Sequence, residues 1–473
     1  MNNPKTYYFI GICGTAMASL ALLLKQKGHR VFGSDQNVYP PMSDLLTEHK
    51  IPIFNGFKEE HLQQPFDVAV VGNAVSRGNP EVEYLLNRRL PFASLPEIIR
   101  QEFAQTRESI VITGTHGKTT TTALMSWILH DLQDDPTFLI GGISKNLGTS
   151  ARLGLGPRFV IEGDEYDSAF FDKRPKFLHY FPRHLIINNI EFDHADIYRD
   201  LDQIQDGFKK LLRCVPQNGL IVANGESENV RQVLGSALSP LEFFGRDSKL
   251  DWTFNNVAQN TEATQFSVFH RGQFWGNVEV PLFGEHQIMN TLAVIGVAHN
   301  LGFSPQAISN AIRKFRNVTR RLDFWGYVNG APFFDDFAHH PTAIAKTLQA
   351  FRNRFPDKRI VAIFEPRTNT TVQNIFQKEL AEALGHADEA IIGPIHRAER
   401  ISAEKRLNLP QLKEDLERKG TVVTLLDSYD ELIPTLRSSA DNSKAILLMT
   451  NGSLQGNYRK LKEFVISKIT LSQ

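Results

Sequence analysis

Cysteine is almost absent: the 473 residues include only Cys13 and Cys214, too few for a disulfide framework. A reducing compartment, the cytoplasm, is therefore expected. Excess charge is also missing, since 52 basic side chains face 52 acidic ones, so neither nucleic acid nor an anionic membrane surface is expected as a partner. Any anionic ligand must be held by a local arrangement. Long apolar runs are lacking too. Nothing approaches the roughly 20 residues that a membrane span needs, and Met1 to Lys5 leads into a short strand-like segment without the apolar stretch and cleavage site of a signal peptide. Internal repeats and low-complexity tracts are absent.

What is present is a thrice-repeated start. At roughly 150 residues per domain the length suggests about three domains, and three times a short apolar strand is followed by a Gly- or Asp-rich turn and a helical pattern. The first is Tyr7-Tyr8-Phe9-Ile10 before Gly11-Ile12-Cys13-Gly14, with Met17, Leu20, Ala21 and Leu24 at helical spacing behind it. The second is Ser109-Ile110-Val111-Ile112 before Gly114. The third is Ala331-Pro332-Phe333-Phe334 before Asp335 to Pro341. The expected architecture is α/β with domains at 1–106, 107–317 and 318–473. These read as a Rossmann-like N-terminal unit, a phosphate-loop central unit and a Rossmann-like C-terminal unit. The polar stretch Gln101 to Glu108 reads as a linker, and the aromatic and β-branched stretch from Leu250 to Val280 as an antiparallel excursion at the edge of the central sheet.

The chemistry concentrates at Gly114-Thr115-His116-Gly117-Lys118-Thr119-Thr120. A nucleoside triphosphate requires backbone N–H groups turned inward, a lysine for the β and γ phosphates and a hydroxyl for the accompanying magnesium. Gly114, Gly117, Lys118 and Thr119 supply these parts. Only Thr115 and His116 separate the first glycine from the Gly-Lys pair, where the common phosphate loop has four residues. The preceding strand and following helix still support a phosphate site. In the first unit the turn at Gly11 and Gly14 suits a diphosphate, and Asp35, on a second strand, is placed for a ribose hydroxyl. The turn ending in Ser76 is a candidate for the same site. Taken alone, that unit also suits a nicotinamide-dependent oxidoreductase.

The loop Gly-Thr-His-Gly-Lys-Thr-Thr in its strand-loop-helix setting resembles that of the Mur ligases, and the likeness extends along nearly the whole chain. Glu162-Gly163-Asp164-Glu165, Asn189-Ile190-Glu191-Phe192-Asp193-His194, Gly284 to Asn290 and Asp335 to Pro341 resemble the branch that acts on UDP-N-acetylmuramate. Within it, Tyr166 to Arg174 and Phe192 to Tyr198 look like the members that attach a salvaged murein tripeptide, L-alanyl-γ-D-glutamyl-meso-diaminopimelate. The relatives that add L-alanine are the nearest alternative. An NTP-driven binding switch is a further one.

The resemblance implies ATP and Mg2+ as cofactors, UDP-N-acetylmuramate and the tripeptide as substrates, and an acyl-phosphate intermediate. It implies that Glu162 and His194 hold magnesium together with Thr119, and that His286 and Asn290, four apart on one helix face, lie near adenine. Asp336 is expected to reach the ATP ribose or phosphates, with His339 nearby, and Arg320 with Arg321 to bring positive charge to the γ-phosphate at the interdomain join. Gly11, Gly14, Asp35 and Ser76 become the UDP-sugar site. Arg367 is suited to bidentate pairing with a peptide carboxylate, with Asn369 beside it. Asp164, Glu165 and Asp167 read equally as a solvated acidic loop or as groups that back the metal ligands or bind the peptide. Lys209 and Lys210 read as surface lysines, not as the carbamylated lysine of several family members.

Overall fold

A computed structural model describes residues 3–36, 38, 42–194 and 197–467. Ala195 and Asp196, part of the motif from Phe192 to Tyr198, lie outside the described residues. Among the described residues three large sheets, each with helices packed on its faces, carry the chain, beside a two-stranded antiparallel ribbon of Asp167–Ala169 and Asp172–Pro175.

The first is parallel throughout, in the order Ile53–Asn55, Arg30–Asp35, Thr6–Ile10, Val68–Val71, Phe92–Ser94. Tyr7 to Ile10 are fully buried, as a central strand covered on both faces requires. Chain order reverses on either side of this strand, which opens a crevice at its carboxyl end.

The second sheet has ten strands, in the order Gln273–Val280, Thr264–His270, Trp252–Gln259, Leu241–Gly245, Leu220–Asn224, His184–Ile187, Glu108–Thr113, Arg158–Gly163, Thr137–Leu139, Ala151–Arg152. Its interior pairs are parallel. The first three strands form the antiparallel edge expected from their composition, and Ala151–Arg152 pairs antiparallel at the other edge. The third sheet runs Asp323–Val328, Ala331–Asp336, Lys444–Met449, Arg359–Phe364, Glu389–Ile392, Val422–Leu425, parallel except for its first pair. Among the described residues no helix is long and apolar enough to cross a membrane.

The stretch from Gln101 to Glu108 is less of a linker than its polarity suggested. Glu102 ends the helix Leu95–Glu102 and is buried. Its carboxylate accepts from Tyr7 Oη at 2.8 Å and Lys27 Nζ at 2.6 Å, with His29 Nε2 and Lys5 Nζ each 3.3 Å away. Four partners from the N-terminal unit, Tyr7 on its central strand and Lys5, Lys27 and His29 beside it, thus fix that unit's exit. Burial would raise this acid, but Lys27 and Tyr7 outweigh it and hold the carboxyl down at about 2.

Candidate active site

The strand Glu108–Thr113 lies between His184–Ile187 and Arg158–Gly163, so the loop it feeds has a neighbouring carboxyl edge on each side. Gly114 (φ 132°) and Gly117 (φ 83°) occupy left-handed backbone where a side chain is strained. Space is tight as well: a Cβ on Gly114 would lie 3.0 Å from Asn189 N, and on Gly117 2.7 Å from Asn290 Oδ1. The helix Lys118–Asp131 begins at Gly117 without a side-chain cap, leaving its first N–H groups for a ligand. Thr115 and His116 fasten the loop to the neighbouring strand's exit. Glu191 N donates to Thr115 Oγ1 at 2.9 Å, His116 N donates to Asn189 Oδ1 at 2.8 Å, and His116 Nε2 lies 3.3 Å from Glu191 Oε2. Thr120 is buried on the next turn.

Lys118 Nζ donates to Gly114 O at 2.7 Å and to Glu165 Oε2 at 2.8 Å. The other oxygen of Glu165 is 3.3 Å from His194 Nε2. This buried carboxylate therefore joins the loop lysine to the histidine, a role that the solvated-loop reading of Asp164, Glu165 and Asp167 did not capture. Asp164 pairs with Lys176 at 2.7 Å and Asp167 with Lys173 at 2.6 Å. Beside them Thr119 Oγ1 donates to Glu162 Oε2 at 3.1 Å, and Gly141 N donates to Glu162 Oε1.

The charges are mutually tuned. Burial opposes the Lys118 ammonium, yet Glu165, Asp164 and Glu162 raise its pKa above the usual lysine value. Burial likewise opposes charge on Glu165, and Lys118 with His194 outweighs it and holds the carboxyl down. Burial lowers His194, while Glu165 and Asp193 overcome it and raise the imidazole. Glu162 goes the other way: burial raises it, despite Gly141, Lys118 and Arg321. An acid kept short of positive partners in this way is suited to a hard cation. The donors fit magnesium, since Thr119 and Glu162 offer adjacent oxygens and the ligand atoms of Asp164, Glu165 and His194 lie within 4.8 Å of one another.

The C-terminal unit closes over this edge. Arg321 Nη2 donates to Thr119 Oγ1 at 3.3 Å, Thr370 Oγ1 donates to Asp193 Oδ1 at 3.4 Å, and the rings of His116 and His340 are 4.7 Å apart. Arg320, expected at the nucleotide, is instead tied by hydrogen bonds within the C-terminal unit. With φ 62° its backbone turns left-handed, and its Nη2 donates to Thr450 O at 2.6 Å and Gly452 O at 3.2 Å, deep in the C-terminal unit. Arg321 is the cation that reaches the loop. Asp336 is buried beside it and accepts from Leu322 N and Ala338 N, both at 2.8 Å, which orients this turn. His339 lies on that turn, held by burial at about 4. Asn290 packs on Gly117, whereas His286, one helical turn earlier, is pushed down to about 4 by burial and by Lys346 and His116.

In the N-terminal unit Gly11 N and Ile12 N donate to Ser34 O at 2.8 and 3.0 Å, and Cys13 N donates to Asp35 Oδ2 at 2.9 Å. Gly14 caps the helix Thr15–Gln26. The exposed Ser76 belongs to the loop after Val68–Val71, across the crevice from Gly11. In the C-terminal unit Arg367 and the exposed Asn369 occupy the loop after Arg359–Phe364. Lys209 pairs with Asp206 at 3.0 Å on a helix surface.

Three family models match in succession: Mur ligase family, catalytic domain, over residues 6–107; Mur ligase middle domain over 112–298; and Mur ligase, glutamate ligase domain, over 320–452. The chain belongs to the Mur ligase family. An Escherichia coli member named UDP-N-acetylmuramate--L-alanyl-gamma-D-glutamyl-meso-2,6-diaminoheptandioate ligase is 40% identical over 469 residues, covering 98% of this chain and 99% of its own. The murein peptide ligase structure from Psychrobacter arcticus is 35% identical with a TM-score of 0.75, covering 98% of this chain and 99% of its own. A UDP-N-acetylmuramate-alanine ligase from Thermotoga maritima has a higher TM-score, 0.82, at 25% identity, covering 99% of this chain and 100% of its own. As a Mur ligase the protein shares one three-unit plan with both.

Proposed function

We propose that the protein is an ATP-dependent ligase that joins L-alanyl-γ-D-glutamyl-meso-diaminopimelate to UDP-N-acetylmuramate in murein recycling. The observation that carries this reading is the convergence of Lys118, Thr119, Glu162, Glu165 and His194 from the central sheet with Arg321 and the Thr370 loop from the C-terminal sheet. The carboxylate of UDP-N-acetylmuramate attacks the γ-phosphorus of ATP, ADP leaves, and an acyl phosphate remains. The peptide's amine then attacks the acyl carbon, loses a proton and expels phosphate. The protein's part is positioning and neutralisation of phosphate charge.

Lys118 leaves Glu165 for the β and γ phosphates, Arg321 meets the transferred phosphoryl group, and the loop N–H groups orient the chain of phosphates. Thr119, Glu162 and His194 would hold magnesium, which when bound would supply further charge neutralisation. His286 and Asn290 border the base, and Asp336 positions the turn that carries Arg321. Gly11, Gly14, Asp35 and Ser76 hold the UDP end in the N-terminal crevice, and Arg367 with Asn369 receives the peptide. The nucleotide substrates assign the reaction to the cytoplasm.

The second reading keeps the chemistry and substitutes L-alanine as acceptor, favoured by the overall likeness to the Thermotoga enzyme. Full-length identity to relatives named for the tripeptide favours the first. Phosphate release from ATP with UDP-N-acetylmuramate plus either acceptor decides between them. Release with the tripeptide is expected, and release with L-alanine alone would refute the assignment.

A further inference from the structure

In the C-terminal sheet, chain order advances outward from Arg359–Phe364 through Glu389–Ile392 to Val422–Leu425, then crosses back to Lys444–Met449 on the other side. The crevice at such a reversal is where α/β sheets receive ligands. Arg367 stands there. Its Nη1 is 3.6 Å from Glu365 Oε1, and a Cβ on Gly452, from the loop across the crevice, would collide with its side chain.

The next loop outward, Gly393 to Arg397, is tied to this one at two points. Gly393 N donates to Phe364 O and His396 N to Pro366 O, each at 3.0 Å. The tie ends on Arg397, whose left-handed backbone (φ 51°) holds it out at the carboxyl edge. Its guanidinium is exposed, and among the described residues it has no ion pair within 4.0 Å. Burial together with Arg367 and Arg397 lowers the pKa of His396 between them. Two guanidinium groups thus flank one short stretch of the edge.

We propose that Arg397 reads the distal, diaminopimelyl carboxylate of the acceptor while Arg367 takes the carboxylate nearer the reacting amine. The inference rests on the tripeptide reading above. Adjacent strands stand about 4.8 Å apart, so Arg397 lies one strand outward of Arg367, a step that an extended three-residue acceptor of roughly 10 Å covers. L-Alanine has a single carboxylate and ends before reaching Arg397. The pair of guanidinium groups therefore separates the two acceptors, with planar forks suited to carboxylates.

The test compares the full-length wild type, Arg397→Ala and Arg397→Lys with the tripeptide and with L-alanyl-γ-D-glutamate, which lacks diaminopimelate. Arg397→Ala is expected to raise KM for the tripeptide about 10- to 100-fold and KM for the dipeptide less than about twofold, with Arg397→Lys in between. An unchanged melting temperature identifies a folded variant, because the exposed side chain supports no packing. Equal effects on both acceptors, or no effect on either, would overturn the inference while leaving the ligase assignment intact. A wild type that ligates L-alanine and not the tripeptide overturns both.

Discussion

Replacing Glu165 by Gln removes the carboxylate that joins Lys118 to His194 while keeping the side chain's size. Lys118 Nζ lies 2.8 Å from Glu165, and the two side chains are 14% and 3% exposed. Removing one member of such a buried pair costs about 3–5 kcal/mol, because the other charge is left without its partner. The amide oxygen of Gln still accepts a hydrogen bond, and Gly114 O still accepts from Lys118, so the lower end, about 3 kcal/mol, applies. For a unit of this size that is a fall of roughly 6–12 °C in melting temperature.

Nucleotide binding changes the comparison, because the phosphates then give Lys118 the negative partner that Glu165 no longer supplies. If half of the loss is recovered in the complex, the variant binds ATP about tenfold more tightly than the wild type. Lower stability combined with higher nucleotide affinity is therefore the signature. Thermal unfolding with and without a non-hydrolysable ATP analogue, alongside calorimetric titration, measures both. A variant as stable as the wild type, or one that binds the analogue more weakly, would refute the role of Glu165 as a stand-in for the phosphates.

Lys118→Ala should abolish phosphate release while leaving UDP-N-acetylmuramate binding within about twofold by calorimetry, because the proposed sugar-nucleotide site is in a different unit. Arg321→Met should reduce kcat by about 100-fold or more. Arg320→Met should instead act mainly on stability, by about 1–3 kcal/mol in urea unfolding, through the carbonyls of Thr450 and Gly452. His184 is buried, its Nδ1 is without a hydrogen-bond partner, and burial with Arg183 and Arg158 pushes it down to about 4 from 6.5. Between these values the unfolded chain binds a proton that the folded protein does not, so stability falls as pH drops through that window. At pH 5 His184 should cost about 2 kcal/mol relative to neutral pH. The His184→Phe variant should show a correspondingly smaller drop in melting temperature between pH 7.5 and 5.

The motifs visible in the sequence are those in which backbone geometry dictates residue type. Gly114 and Gly117 show themselves because their φ values strain any side chain and Asn189 and Asn290 approach closely. The three sheets show themselves through apolar strands such as Tyr7 to Ile10. Glu165 was harder to read, since it stands in an acidic run where each member has the same local appearance. Only the fold separates Asp164 and Asp167, paired with Lys176 and Lys173, from the carboxylate that meets the loop lysine. Arg320 and Arg321 are adjacent in sequence and both stand over the Phe337 ring, yet they donate to different partners, the Thr450 and Gly452 carbonyls and Thr119 Oγ1. A left-handed φ at Arg320 divides them, and no residue-type preference for arginine announces it. Glu102 looks like part of a linker in the sequence because its four partners lie 73 to 97 positions away.

The same separation explains why the acceptor is written in a different place from the chemistry. In the proposed reaction phosphoryl transfer draws on the loop, the proposed magnesium donors and Arg321, all clustered where the central and C-terminal edges meet. None of these groups needs to distinguish L-alanine from a tripeptide, because both present the same amine to the same acyl phosphate. A member of the family can therefore share its overall domain arrangement with an alanine ligase, at a TM-score of 0.82 and 25% identity, and still differ in acceptor. The difference must lie beyond the amine, along the carboxyl edge of the C-terminal sheet. Two exchanges there should separate the roles: Arg367→Ala should impair every acceptor, whereas Arg397→Ala should impair only those long enough to reach it.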